Sequence, residues 1–332
     1  MLELSRGAAN AVGVCMGVSR DEKVLILTDN EREHIGHAVA EECELREARV
    51  HLLKIEDFVE RPALHLPEAL TERVDEIDPD VSFYVATGKE GELGLRRPYM
   101  NHVIYELKAR HGHMIGIDDR CMAEGMAADY IEIARLTAQV NEILKEARLV
   151  EVRAPSGTDL RATLDPSRLR WHPCPGIYHA PGEWGNLPEG ETFTSPASLD
   201  GVLGAEVLGD HFSEKYGILE TPMRFEVAGG RVRKVSHPDD ALRVEMDKYL
   251  AQHENSNRAG EFAVGTNVAL KELSGNLLQD EKIPGVHVAF GYPYPKETGA
   301  GWDCPSHCDV VATGSTIRVD GQYLMRDGEF VI

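Results

Sequence analysis

The stretch VLILTDN, residues 24–30, decides the fold class: a run of β-forming residues stops abruptly in two polar turn residues, Asp29 and Asn30. The same unit recurs at VHLLKI (50–55), VSFYVA (81–86) and HMIGI (113–117), which end in Glu56-Asp57, Thr87-Gly88 and Asp118-Asp119. Between these runs, Glu31 to Arg46 and Arg97 to Arg110 carry apolar residues at helical spacing, as amphipathic covering helices do. Strands alternating with helices predict an α/β layer with a mostly parallel sheet. Ligands of open α/β sheets sit at such strand ends. No GxGxxG follows any of the four runs, so Asp29, Glu56, Thr87 and Asp118 read as caps and turns, and no nucleotide is assigned.

Met122 to Ala147 reads as one long helix, after which the composition changes. LVEVRAPSGTDLRATLD (149–165) is a hairpin around Pro-Ser-Gly-Thr. FEVAGGRVRKVSH (225–237) turns at Gly229-Gly230, Asp239 to His253 is helical, and TIRVDGQYLMRDGEFVI (316–332) holds two Asp-Gly turns between alternating strands. The expected organisation is therefore an α/β Rossmann-like domain over residues 1–147. An α+β catalytic, metal-binding domain with antiparallel sheet should follow over residues 148–332.

With 35 Lys and Arg against 56 Asp and Glu, the net charge is −21. That argues against a nucleic-acid or anionic-membrane partner, since both need a basic surface. A hydrophobic content of 42% supports a sizeable core, yet no apolar run approaches the roughly 20 residues that span a bilayer. The N-terminus carries Glu3 and lacks the apolar segment of a secretory signal, and six scattered cysteines fit a reducing compartment; a cytoplasmic location is the expectation.

The chemistry-bearing residues gather in the second half. In an extended segment His307 and Asp309 of WDCPSHCDVV point the same way and can converge on one cation. His287 lies in the strand-like PGVHVAFG, and Glu191 and Glu261 sit beside β-forming residues, where an unpartnered carboxylate is costly to bury. Together Glu191, Glu261, His287, His307 and Asp309 form a mixed N/O donor set suited to Zn²⁺, Mn²⁺, Co²⁺ or Fe²⁺ and large enough for two ions. Two readings compete with it: a structural zinc site from Cys174, Cys304, His307 and Cys308, and a nucleophilic Cys308.

Through APSGTDLRATL, GEWGNLPEGETFTSP, GEFAVGTNVAL, GNLLQDEKIPGVHVAFG and HCD, the chain resembles the aminopeptidase T family of metallopeptidases. Its shorter relatives include 2,5-dihydroxypyridine ring-cleaving dioxygenases. The resemblance implies a two-metal catalytic domain in a homodimer, with the site facing an internal cavity. Glu191, with Glu189 as the alternative two residues away, takes the place of one metal-binding glutamate, and Glu261 takes that of another. His287, His307 and Asp309 match the remaining ligands, and Tyr294, beside Tyr292, matches a tyrosine near the metals.

The expected activity is that of a dinuclear metallohydrolase cleaving an amide or peptide bond in a small molecule or short peptide, with Glu261 as ligand or general base and Tyr294 stabilising the oxyanion. The alternative is one Fe(II) held by His287, His307 and Asp309 in a ring-cleaving dioxygenase, which the sequence Gly190-Glu191 brings closer. A binding protein without activity is the third reading, against which the complete donor set argues.

Overall fold

The computed structural model describes residues 2–209 and 211–332. The chain forms two compact units: Met1–Ala134 with Gly176–Glu189, and Arg135–Pro175 with Gly190–Ile332. With strands numbered in chain order, the first unit holds a five-stranded sheet of β1 (Lys23–Thr28), β2 (Arg49–Lys54), β3 (Val81–Ala86), β4 (Arg110–Ile115) and β8 (Trp184–Asn186). Their order is β2-β1-β3-β4-β8, and every pairing is parallel. Helices Glu33–Leu45, Glu68–Ile77 and Leu93–Asn101 make the crossovers that parallel neighbours require. All six residues of β3 are buried, as in a sheet covered on both faces.

The four expected strands are all present. The fourth runs earlier than HMIGI suggests, because Gly116 adopts a positive φ of 73° and ends it. Sequence patterning missed β8, a short edge strand that joins from beyond residue 147.

The strand-end residues brace one another. Asp29 accepts from the Arg32 amide (2.7 Å) and the Thr87 amide (2.8 Å). The Arg61 guanidinium, only 2% exposed, bridges Asp29 and Glu92 and donates to the Thr87 carbonyl (2.8 Å). Burial works against ionisation of Asp29 and Glu92. Hydrogen bonds from Thr87, Arg32 and Arg61 to Asp29, and from Arg61 and Ala63 to Glu92, more than offset it and hold both carboxyls below the usual range. Asp118 caps helix Asp119–Ala123 by accepting from the Cys121 amide (2.7 Å).

The second unit is built from two antiparallel sheets. One contains β5 (Leu149–Arg153), β6 (Asp159–Thr163), β10 (Ser198–Ala205), β12 (Met223–Ala228), β13 (Arg231–Ser236), β17 (Thr316–Val319), β18 (Gln322–Arg326) and β19 (Glu329–Phe330). The other contains β7 (His172–Cys174), β9 (Glu191–Thr194), β11 (Val207–Leu208), β14 (Ala259–Gly265), β15 (Gly285–Gly291) and β16 (His307–Thr313), in the order β11-β16-β15-β14-β9-β7. Leu203 and Phe225 of the first sheet share one core with Phe262, Val288, Phe290 and Val310 of the second, and the Phe225 and Phe290 rings lie 5.4 Å apart.

The expected helix over Met122 to Ala147 is two helices, Asp119–Ala123 and Tyr130–Leu144. Asp129 breaks it: its carboxylate accepts from the Ile131 amide (3.0 Å) and the Glu132 amide (3.1 Å), the contacts of a helix start. No helix among the described residues is long and apolar enough to cross a membrane.

Candidate metal centre

Strand alternation builds the site. In β15, Val286, Val288 and Phe290 enter the sandwich core, so His287 faces the other way; in β16, Cys308, Val310 and Ala312 do so, which turns His307 and Asp309 to the same outer face. β14 reaches the same arrangement through a bulge. Ala259 and Phe262 both lie in the core, and the extra residue, Gly260, lets Glu261 face outward. Only glycine fits there, since a Cβ would fall 2.1 Å from the Gly291 carbonyl oxygen. Glu191 opens β9 opposite Gly265. Ala263 pairs with His287, and Ala289 pairs with both Glu261 and Asp309, so small side chains floor the space among the donors.

The donors converge. His287 Nε2 lies 3.5 Å from Glu191 Oε2, 3.6 Å from Glu261 Oε1 and 3.9 Å from Asp309 Oδ1. His307 Nε2 lies 3.4 Å from Glu261 Oε2 and 3.3 Å from Asp309 Oδ2. Both rings turn Nδ1 to a backbone carbonyl: His287 to Glu281 (3.0 Å) and His307 to Tyr292 (3.1 Å). A carbonyl can only accept, so each Nδ1 carries a proton, and it is Nε2, facing the carboxylates, whose proton a cation would displace. This is how metal-ligating histidines are held.

The electrostatics show what the donors lack. Burial would lower both imidazoles, but Glu261, Glu191 and Asp309 overcome it at His287, which rises to about 10; Asp309 and Glu261 raise His307 to about 9. The histidines in turn, with Lys282, bring Asp309 down to about 2 against the cost of burial. Burial pushes Glu261 up in spite of the two histidines. Glu191 Oε2 is buried and accepts no hydrogen bond, and His287 Nε2 lies 3.5 Å from it. An orphaned carboxylate oxygen, two imidazoles that can give up an Nε2 proton and a cluster of acids are what divalent cations satisfy, so the residues fit the metal implied by their chemistry. Two of the converging sets share a member: Glu191, Glu261 and His287 on one side, and Glu261, His307 and Asp309 on the other, with donor atoms within 4.8 Å in each.

Of the expected site residues, Glu191, Glu261, His287, His307 and Asp309 are brought together here. Glu189 belongs to the other unit, where it lies within 3.5 Å of the Tyr178 hydroxyl. The Tyr294 ring packs edge-on to His307 (5.2 Å between centroids) and against Phe193 (5.1 Å) and Tyr292 (4.9 Å). Burial and the nearby Glu261, Asp309, Glu281 and Glu191 charges push its hydroxyl well up, which keeps the phenol protonated. Cys308 and Cys304 do not join the centre: Cys308 lies on the core face of β16, opposite His307, and Cys304 lies beside Ser256 and Ser306, whereas Cys174 converges with Glu191. Trp302 stacks on Arg258 and His211 pairs with Glu245.

Two residues of the centre escaped the sequence reading. Lys282, 1% exposed, places its ammonium 2.7 Å from Glu191 Oε1 and 2.8 Å from Glu281 Oε1. Glu281, His287 and Asp309 form a further converging set, and burial with the Asp309 and Glu191 charges raises Glu281 to about 7 although Lys282 opposes it. The signal available was the charged pair Glu281-Lys282 close before a β run; it looks like an ordinary solvated turn.

Comparison with known proteins agrees with this geometry. The family model described as thermophilic metalloprotease (M29) matches residues 119–321. Two solved structures share the fold: wild-type AmpT from Thermus thermophilus (17% identity, TM-score 0.72, covering 100% of this chain and 99% of that one) and 2,5-dihydroxypyridine dioxygenase from Pseudomonas putida (16%, 0.71, covering 99% and 96%). A comparison with curated protein sequences found no match.

Proposed function

The chain belongs to the thermophilic metalloprotease (M29) family, and from that premise we propose that it is a divalent-metal-dependent hydrolase of a peptide or amide bond in a small substrate. The observation that carries the reading is Glu261, whose two oxygens face the two histidines and which completes both three-donor sets, an arrangement suited to a pair of ions. When bound, such ions supply acidity to a water molecule and polarise the scissile carbonyl.

This chain's own residues do the rest. The Glu281 and Tyr292 carbonyls fix the imidazole tautomers, so the donor atoms stay aimed while substrate exchanges. Tyr294, protonated at neutral pH and packed against His307, is placed to donate a hydrogen bond to the oxygen on which charge develops. Glu281, a carboxyl that burial and the Asp309 and Glu191 charges raise, stands beside the centre and suits the transfer of a proton to the leaving amine.

The iron reading needs His287, His307 and Asp309 to face one ion; His287 and His307 lie 3.9 Å and 3.3 Å from Asp309, but among the described residues these three do not form one of the converging three-donor sets. The test is chelator-treated protein reloaded with Zn²⁺, Mn²⁺, Co²⁺ or Fe²⁺ and assayed on aminoacyl amides and dipeptides, beside oxygen uptake with hydroxylated pyridines. Hydrolysis restored by a metal and abolished in Glu261→Gln supports the proposal. Oxygen uptake with Fe²⁺ and no hydrolysis with any ion would overturn it.

A further inference from the structure

The fold builds a fixed cation into one half of the centre. Gly265 stands opposite Glu191, and a Cβ there would fall 2.1 Å from the Ile283 carbonyl oxygen and 2.8 Å from the Lys282 backbone. Its absence lets the Lys282–Ile283 backbone lie directly on the sheet. Hydrogen bonds from the Lys282 amide to the Gln279 carbonyl (3.0 Å) and from the Asn267 amide to the Lys282 carbonyl (3.0 Å) pin the segment there. The side chain that follows from this placement is buried, and its ammonium is 2.7 Å from Glu191 Oε1.

We propose that Lys282 makes the two halves of the centre unequal, so that the set Glu261, His307 and Asp309 takes up a divalent ion tightly and the set Glu191, Glu261 and His287 takes up a second one weakly. The inference rests on the metal-binding reading above. Glu191, Glu261, Glu281 and Asp309 carry four negative charges when ionised, which two dications would neutralise if both imidazoles are neutral. Lys282 already cancels one. One dication then takes the centre from −3 to −1, whereas a second takes it from −1 to +1 and brings no further neutralisation of buried charge. The imbalance is greatest at the second set: the Lys282 ammonium touches Glu191, a donor of that set, whereas it acts on Asp309 of the first set at longer range, and the carboxylates that face His307 Nε2 are those of Glu261 and Asp309. Glu191 Oε2 stays open to an ion, so the second set is weakened and not abolished.

The test is calorimetry of Zn²⁺, and separately Co²⁺ with its visible spectrum, binding to chelator-treated full-length protein. The wild type should bind in two steps, the second weaker by at least about tenfold. Lys282→Met should tighten the second step by roughly ten- to a hundredfold, the effect of removing one buried charge-assisted contact to a ligand, and leave the first step nearly unchanged. Lys282→Arg, which keeps the charge, should retain the two-step isotherm, and Glu191→Gln should remove the second step only. Circular dichroism and melting establish that each variant is folded.

Two equivalents binding to the wild type with one affinity would overturn the inference without touching the proposed function, and need no variant. A folded Lys282→Met whose second step is not tightened would overturn it as well. A wild type that takes up no metal would overturn both this inference and the function proposed above.

Discussion

Loading the centre should expel about two protons per chain at pH 7. The imidazoles of His287 and His307, raised to about 10 and about 9, lie about three and two units above that pH, so in the metal-free protein each ring is more than about 99% protonated. Each Nδ1 proton is held by a backbone carbonyl, so the proton lost on ligation comes from Nε2. Loading both sets therefore releases one proton from each ring, and Glu281, at about 7, adds up to about half a proton if it ionises.

The sign follows. Below about pH 9 each unit of increase should tighten the overall binding of two ions by up to about 100-fold, and of one ion at a single histidine by up to about tenfold, with a plateau above pH 10. Calorimetry at pH 7 in buffers of different protonation enthalpy reads the proton count as a slope, and competition with a chromophoric chelator between pH 6 and 8 reads the affinity. Release of fewer than one proton, with an affinity flat in pH, would refute the reasoning. Without metal the same groups act on stability. Histidines raised above an unfolded value of about 6.5 contribute fully below that pH and lose the contribution as pH climbs through 9 to 10, so the chelated protein should melt lower at pH 10 than at pH 7.

Tyr294→Phe should lower kcat by about 100-fold or more with little change in KM, as expected for loss of one oxyanion donor; an unchanged kcat removes the phenol from the chemistry. Ala289→Leu puts a branched side chain between Glu261 and Asp309 and should cut bound metal more than about tenfold, at a cost of about 1–3 kcal/mol in stability from overpacking a buried position, checked by elemental analysis on the folded variant. Arg61→Met leaves Asp29 and Glu92 buried without their shared cation, and should cost about 3–5 kcal/mol in urea unfolding at pH 7. Because these two carboxyls are held below their ordinary values, their stabilisation is present above about pH 4 and fades as pH falls through the folded values; the variant should lose this acid dependence.

What could be seen in the sequence follows the range of the interactions involved. His287 between two valines, and His307 with Asp309 two residues apart, declare a common face because strand alternation is local. Glu261 is harder: its face depends on a bulge at Gly260, set by how closely the Gly291 backbone approaches, and that is a property of the pairing. Lys282 and Glu281 were invisible for a similar reason. Lys282 is buried, with Glu281 beside it, because Gly265, from another strand, leaves room above the sheet, and nothing in Asp280-Glu281-Lys282 distinguishes them from a surface turn. The parallel sheet was legible from four β runs but its edge strand β8 was not, since three residues carry too little pattern. The long helix failed at Asp129, where a carboxylate turned back to the amides beyond it outweighs helical periodicity.

The two-faced character of β14, β15 and β16 sets a limit on motion. Each places core residues and site residues alternately along the same backbone, and β15 is hydrogen-bonded on both sides. These strands cannot detach locally: separating them to release a donor also exposes Phe262, Val288 and Val310 to water. Their amides should therefore belong to the slowest-exchanging class, opening only with the second unit as a whole. Adjustment to substrates of different size is left to the loop carrying Tyr292 and Tyr294, so engineering of substrate scope belongs there and not in the sheet.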